Sequence, residues 1–378
     1  MLLLLLLLLH LSVLGASTRV APAPAYYPRL ALLRGPGGTS LVAAAVETPT
    51  PAARRLLFLT APSPQGPWPS GGGGSVIASA AVGPGPVDLG NGFLSQLPNG
   101  TLLCAYRHHD GLAPNRTFRI QLSSSQDFGA TWALAATIAE GALGVWEPFL
   151  FFSGEGPVLR VAYSAELPAV GGRAEQDIVF QESSSGGSDW GPVFSRVHTA
   201  GSRNGMPGVA SLQDGSLLLV HEGFGGVWGA YRVSSARSFD GGVSWVQREV
   251  VHAPASGPGA GGWDAGSPQV AVCPAASGTA HRGSRGAACA VFMSNEGGGA
   301  PSQPWPAGAH AALLCAPLDA TNASAPLDWG GGGAPATVAT ETPSIYWPSF
   351  YVGRGGSSVA YQGEDGAAYV SDADVCSQ

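Results

Sequence analysis

Two stretches far apart in the chain, Ser125-Gln-Asp-Phe-Gly-Ala-Thr-Trp132 and Ser238-Phe-Asp-Gly-Gly-Val-Ser-Trp245, share the pattern Ser-x-Asp-x-Gly-x-(Thr/Ser)-Trp. A repeat of this kind implies a repeated structural unit, and that limits the architecture before any other argument. The residues are those of a tight hairpin. Asp127 and Asp240 can fold their carboxylates onto turn amides, and Gly129 and Gly242 can take left-handed backbone. Trp132 and Trp245 then open the next strand with a large apolar anchor. Degenerate copies, Ser63-Pro-Gln-Gly-Pro-Trp68 and Ser183-Ser-Ser-Gly-Gly-Ser-Asp-Trp190, keep the turn-then-Trp plan but lose the aspartate. The four tryptophans are spaced by 64, 58 and 55 residues, a plausible length for one four-stranded blade with its loops.

The repeat is an Asp-box and resembles those of the sialidase-like β-propellers. Short apolar runs bounded by Gly, Pro and Asn turns fill the rest of the chain, and none holds helical periodicity. Grouped around the boxes they yield six blades. The expectation is therefore an all-β, six-bladed, sialidase-like β-propeller as a single domain over residues 18–378, its ring closed by pairing of the two chain ends. Residues 1–17 read as a secretory signal cleaved near Ala16 or Ser17, because the leucine run is too short to span a bilayer and small residues follow it. The mature protein is then expected to be extracellular, free of the membrane and monomeric.

A net charge of −7 argues against nucleic acid or an anionic membrane as a partner, and all 18 basic residues are Arg. Five cysteines in a secreted chain suggest disulfides with one thiol left over. A Cys273–Cys289 bridge would close the hairpin around residues 274–288, Cys315 with Cys376 is a weaker pairing, and Cys104 reads as a buried strand thiol. Sequons at Asn99, Asn115 and Asn322 fit surface loops. The eight histidines are scattered, and no phosphate loop or Ser-His-Asp elbow is present, so neither metal nor cofactor is expected.

Chemistry in a propeller is expected where strand ends and loops face the central channel. Two glutamates stand out. Glu147 sits in the apolar strand Val145-Trp-Glu-Pro-Phe-Leu150, and Glu222 follows Leu217-Leu-Leu-Val-His221 at the mouth end of what reads as an inner strand. A carboxylate so placed is either paired to an Arg or used with a raised pKa. Together the two match what glycoside hydrolysis needs, one carboxyl to give a proton and one to attack or to activate water.

The series Tyr27-Pro-Arg-Leu30, Asp88-Leu-Gly-Asn-Gly-Phe93, Trp146-Glu-Pro-Phe149, Arg203-Asn-Gly-Met-Pro-Gly-Val209, His221-Glu222 and Ser267-Pro-Gln-Val270 resembles the fungal exo-arabinanases. The likeness covers roughly residues 26–300. It implies an exo-acting, retaining hydrolase of arabinan or a related cell-wall polysaccharide, with Glu147 as nucleophile and Glu222 as acid/base. The apolar setting of Glu147 argues mildly for the opposite assignment. Retention implies carboxyl groups about 5–5.5 Å apart. Arg29, Asn91, Trp146 and Arg203 are the candidate sugar contacts, although strand-end pairing and core packing would also account for them. The chain departs from the family at Asp88-Leu-Gly-Asn91 and Arg203-Asn204, where another acid is expected, so substrate preference stays open. A sialidase would use a Tyr nucleophile assisted by Glu, with Arg29, Arg203 or Arg354 gripping a carboxylate, and no Tyr–Glu constellation is visible in the sequence. A catalytically silent glycan-binding propeller and a sorting or adhesion propeller are the readings from other classes.

Overall fold

The computed structural model describes residues 17–35, 38–83, 85–111, 116–153, 158–168, 175–225, 230–255, 263–274, 284–297, 305–319, 325–330, 334–339, 342–353, 356–373 and 376. Residues 1–16 of the expected signal (1–17), the sequons at Asn115 and Asn322, and Arg354 lie outside the described residues. No described helix is long and apolar enough to cross a membrane.

Strands such as Ser40–Glu47, with the interior Val-Ala-Ala-Ala-Val, are buried along nearly their whole length because both faces are covered. Strands at the rim, such as Ala133–Gly141 and Val246–His252, alternate and leave one face open. This gradient from continuous to alternating burial is what stacking of sheets around an axis produces.

The strands run β1 (Thr18–Ala21), β2 (Tyr26–Arg34), β3 (Ser40–Glu47), β4 (Ala53–Ala61), β5 (Ser75–Ala81), β6 (Asp88–Gln96), β7 (Leu102–Asp110), β8 (Thr117–Ser125) and β9 (Ala133–Gly141). They continue as β10 (Val145–Phe152), β11 (Leu159–Glu166), β12 (Gln176–Ser183), β13 (Ser195–Val197), β14 (Ser202–Ser211), β15 (Leu217–Gly225), β16 (Tyr231–Ser238) and β17 (Val246–His252). The last are β18 (Ala265–Cys273), β19 (Ser284–Ser294), β20 (His310–Asp319), β21 (Ala336–Ala339), β22 (Ile345–Gly353), β23 (Gly356–Gly363) and β24 (Ala368–Asp372).

They form antiparallel meanders β2–β5, β6–β9 and β18–β21, a sheet of β22–β24 completed by β1, and an eight-stranded sheet spanning β10–β17. In the eight-stranded sheet β12 meets β14 at a single parallel bridge, Gln176 to Arg203. The first strands β2, β6, β10, β14, β18 and β22 each pack against the next, and β22 returns to β2. The arrangement is an all-β propeller. The expected closure is present, since β1 from the start of the chain pairs with β24 from its end. Hydrophobic cores fill the wedges between successive units, for example Leu103, Ile120, Leu150 and Val161 between β6–β8 and β10–β12.

The repeats sit on outer hairpins. Between β8 and β9 the Ser125 hydroxyl donates to Asp127 and accepts the Gly129 amide, while Asp127 takes the Thr131 amide and hydroxyl. Between β16 and β17 the bonds recur at Ser238, Asp240, Gly242 and Ser244. Gly129 and Gly242 have φ of 85° and 92°, as the turn requires. The hydroxyl and amide of Thr131 and Ser244 hold Asp127 and Asp240 down to about 2. The copy at 183–190 keeps this geometry with Ser185 in the aspartate's place, accepting the Asp189 amide at 2.9 Å. Trp132 packs edge-on against Phe58, and Trp245 stacks on Phe180, so each box locks its unit to the one before.

The cysteine pairing differs from the expectation. The disulfides are Cys273–Cys376 and Cys289–Cys315, so neither Cys273–Cys289 nor Cys315–Cys376 forms, and Cys104 is a buried free thiol. Register is the reason: Cys289 lies opposite Ala271 on β18 but directly opposite Cys315 on β20, which leaves Cys273 to reach the C-terminal segment. Because Cys273–Cys376 spans 103 residues, replacing both cysteines by serine is expected to cost about 2–4 kcal/mol, read as a lower denaturant midpoint with folding retained.

Candidate active site

One irregularity recurs on all six first strands. Register slips between Tyr26 and Arg29, Gly90 and Phe93, Trp146 and Phe149, Gly205 and Gly208, Gly266 and Gln269, and Tyr346 and Ser349. Within each bulge one non-glycine residue is left-handed: Tyr27, Asn91, Glu147, Met206, Ser267 and Trp347, with φ between 45° and 53°. Such backbone is costly for side-chain-bearing residues and concentrates where a site needs a side chain re-aimed. Proline follows five of the six, a periodic signal carried by the sequence itself.

A second tier comes from the neighbouring strands. The residues paired with the bulge entrances are Glu47, Arg107, Ser164, Glu222, Met293 and Gln362, on β3, β7, β11, β15, β19 and β23. Glu222 therefore lies on β15, paired between β14 and β16. It reaches over the first strand because its partner there is Gly205, where a Cβ would lie 3.0 Å from Glu222 Oε1. On the next strand Gly266 leaves similar room, a Cβ there falling 2.5 Å from Glu222 Oε2. The carboxylate is then held by the Ser267 amide, which donates to Oε2 at 2.6 Å.

Glu147 and Glu222 come together across the Gly205–Met206 bulge. Glu222 lies against Gly205, the Met206 amide favours the charged form of Glu147, and the charge of Glu147 in turn raises the pKa of Glu222. Their surroundings differ. Burial pushes Glu222 up to about 7, with the Glu147 and Asp264 charges adding to the shift and the Ser267 amide opposing it. Burial also raises Glu147, but here the Arg107 guanidinium, 3.9 Å away, opposes it together with the Ser164 hydroxyl and the Met206 amide.

Arg107 organises this side of the channel, and sequence reasoning missed it. Its Nε contacts Asp88 Oδ2 at 3.0 Å, its Nη1 donates to Asn91 Oδ1, and its guanidinium lies 5.0 Å from the Tyr27 ring centre and 5.8 Å from that of Trp146. Glu47 is buried close by, pushed up to about 7 chiefly by burial despite the Arg107 charge. Tyr27 thus does stand beside Glu147 and Arg107, although burial raises its hydroxyl to about 12 and leaves it a phenol at neutral pH.

The candidate sugar contacts fall in several roles. Asn91 is a bulge residue bonded to Arg107. Arg29 is buried and donates to the carbonyls of Trp347 and Pro348 at 2.8 and 3.3 Å, bracing β2 against β22, and it lines a small cavity with Asn91 and Glu147. Trp146 is half-buried, edge-on to His109. Arg203 pairs with Glu166 at 2.9 Å and Gln176 at 2.8 Å and stays partly exposed.

Gly266 gives a direct check on the seat of Glu222. Its backbone is ordinary, so alanine is strained only by the collision with Glu222 Oε2 and the contact 3.4 Å from Trp305 Cζ2. Gly266→Ala is expected to swing the flexible carboxylate away, leaving the melting temperature nearly unchanged while turnover of a glycoside substrate falls about 100-fold. Unchanged turnover would show that Glu222 is not used from this position.

No protein-family model matches the chain, and no curated protein matches it by sequence. Solved structures do. The Penicillium chrysogenum α-L-arabinanase complexed with arabinobiose superposes with a TM-score of 0.59 at 21% identity, over 94% of this chain and 96% of its own. The GH93 α-L-arabinofuranosidase of Fusarium graminearum, also with arabinobiose, gives 0.59 at 17% identity over 95% and 96%. Trypanosoma rangeli sialidase in complex with sialic acid gives 0.54 at 9% identity, over 95% of this chain and 57% of its own. The fold is that of the sialidase-like propellers. The likeness to the arabinanase and the arabinofuranosidase runs over nearly the whole of both chains.

Proposed function

We propose that this protein is a secreted, exo-acting glycoside hydrolase that works with retention through Glu147 and Glu222 on arabinan-type or related neutral polysaccharide. The observation that carries the reading is two carboxylates set over one bulge, one beside Arg107 and the other held by the Ser267 amide. The eight-stranded sheet is read as two blades joined by the Gln176–Arg203 bridge, giving six blades to match six bulged strands. Two disulfides fit an oxidising compartment.

The environments support Glu147 as nucleophile and Glu222 as acid/base. Ionised Glu147 attacks the anomeric carbon as its bond to the leaving oxygen breaks and Glu222 gives that oxygen its proton. Glu222, now a carboxylate, takes a proton from water, whose oxygen attacks the same carbon and releases Glu147. The apolar sequence around Glu147 pointed the other way because it did not reveal Arg107 on the neighbouring unit.

The channel favours a neutral substrate over a sialoside. Arg29 is engaged by backbone carbonyls, Arg107 by Asp88 and Asn91, and Arg203 by Glu166 and Gln176, while Glu47, Asp88, Glu147 and Glu222 crowd the same space. Purified protein offered debranched arabinan and a sialyl-lactose conjugate tests this. Release of arabino-oligosaccharide is expected. Sialic acid release that survives Glu147→Gln and Glu222→Gln would overturn the reading, and binding without hydrolysis would mark a silent glycan-binding propeller.

A further inference from the structure

Beside Glu222 runs a row of aromatic rings that the catalytic pair does not use. Glu222 and Phe224 are two residues apart on β15 and so point to the same face. Phe224 pairs with Tyr231 across β15 and β16, their ring centres 4.7 Å apart, and Tyr231 stacks on Trp305 at 6.1 Å with 24° between the planes. The row ends at the acid itself, since the point 2.5 Å from Glu222 Oε2 over Gly266 is 3.4 Å from Trp305 Cζ2. Phe224 is 37% exposed, and Tyr231 and Trp305 are half-buried, so ring surface remains open. The row is also fixed in place: Asp264 accepts the Tyr231 amide at 2.7 Å, and its own amide donates to Asn295 Oδ1 at 2.7 Å.

The wall around Glu147 is the charged one, with Arg107, Asp88 and Glu47 set beside the rings of Tyr27, packed on Trp347 at 4.1 Å, and Trp146. A saccharide ring offers an apolar C–H face that stacks on aromatic rings and hydroxyl edges that suit polar groups. We propose that the row Phe224–Tyr231–Trp305 is the subsite for the leaving-group saccharide, placing the scissile oxygen at Glu222 while the glycone lies against the polar wall of Glu147. This rests on the hydrolase reading above and adds to it a direction for the substrate: a neutral sugar on the acid/base side, held by stacking.

The test compares two substrates that differ only in what leaves. An α-1,5-arabino-oligosaccharide needs the row, whereas the corresponding arabinosyl fluoride has a leaving group too small to touch it. Trp305→Ala and Phe224→Ala are each expected to lower kcat/KM on the oligosaccharide about tenfold, mostly through KM, with the fluoride turned over at the wild-type rate. Trp305→Phe is expected to restore most of the loss. Calorimetry of the oligosaccharide with Glu222→Gln supplies a readout independent of turnover, in which adding Trp305→Ala weakens binding about tenfold. Equal losses on both substrates, or no loss on either, would overturn the subsite while leaving the hydrolase reading intact. A wild-type protein that neither cleaves nor binds the oligosaccharide would overturn both.

Discussion

Glu147→Ala is expected to lower kcat on an arabino-oligosaccharide by at least about 10⁴-fold, and azide to restore turnover with a product of inverted configuration. The small anion fits where the carboxylate was and attacks once, with no second displacement. Glu222→Ala is expected to lose about 10²–10⁴-fold, and less on a substrate whose leaving group needs no proton. Azide would then trap the glycosyl intermediate with retained configuration. The pH profile follows from the same assignment. The first step needs Glu222 protonated, so with its pKa at about 7 activity declines as the pH rises through that value. It also needs Glu147 ionised, so activity declines on the acid side, at a pH raised by the burial of Glu147 and held back by Arg107. Because each charge acts on the other, both limbs belong to the pair. Swapped azide products between the two variants would reverse the roles, and near-normal turnover in Glu147→Ala would sink the mechanism.

The sequence made the frame of this molecule legible because the frame rests on local rules. Asp127, Gly129 and Trp132 define a turn within eight residues, and the same turn at Asp240 sets the blade phase. Strand positions followed from the runs between such turns, and Glu147 and Glu222 stood out as charges in apolar strands. What stayed hidden depends on register. Arg107 sits inside the ordinary-looking strand β7, and only its pairing with Gly90 shows that it leans over a glycine toward the channel. Glu222 reaches the site over Gly205 for the same reason. Glu47 and Asp88 draw their significance from Arg107, so neither carried a signal of its own. Cys273 and Cys289 looked like a hairpin pair because sequence spacing does not disclose that Cys289 faces Cys315. The recurrent residue-then-proline at Tyr27, Glu147, Met206, Ser267 and Trp347 was the readable clue to the bulges, and it names the first tier of the channel directly.

Arg107→Met is expected to narrow the pH range of activity from the acid side. Arg107 lies 3.9 Å from Glu147 and 3.0 Å from Asp88, and its charge also acts on Glu47. Without it, desolvation of Glu147 is no longer opposed by a neighbouring cation, and its pKa moves further up. The nucleophile must be charged, so a higher pKa carries the acid limb toward neutrality. The alkaline limb is expected to move less, because Arg107 reaches Glu222 only through the charge of Glu147. The two limbs close on each other, and kcat/KM at pH 6 is expected to fall about 100–1000-fold, with less of a deficit near pH 7. Arg107→Lys keeps the charge but loses the planar fork that serves Asp88 and Asn91 together, and it is expected to restore the acid limb more fully than the rate. A fall in rate with both limbs unmoved would mean that Arg107 only supports the channel wall, and that Glu147 stays charged by other means.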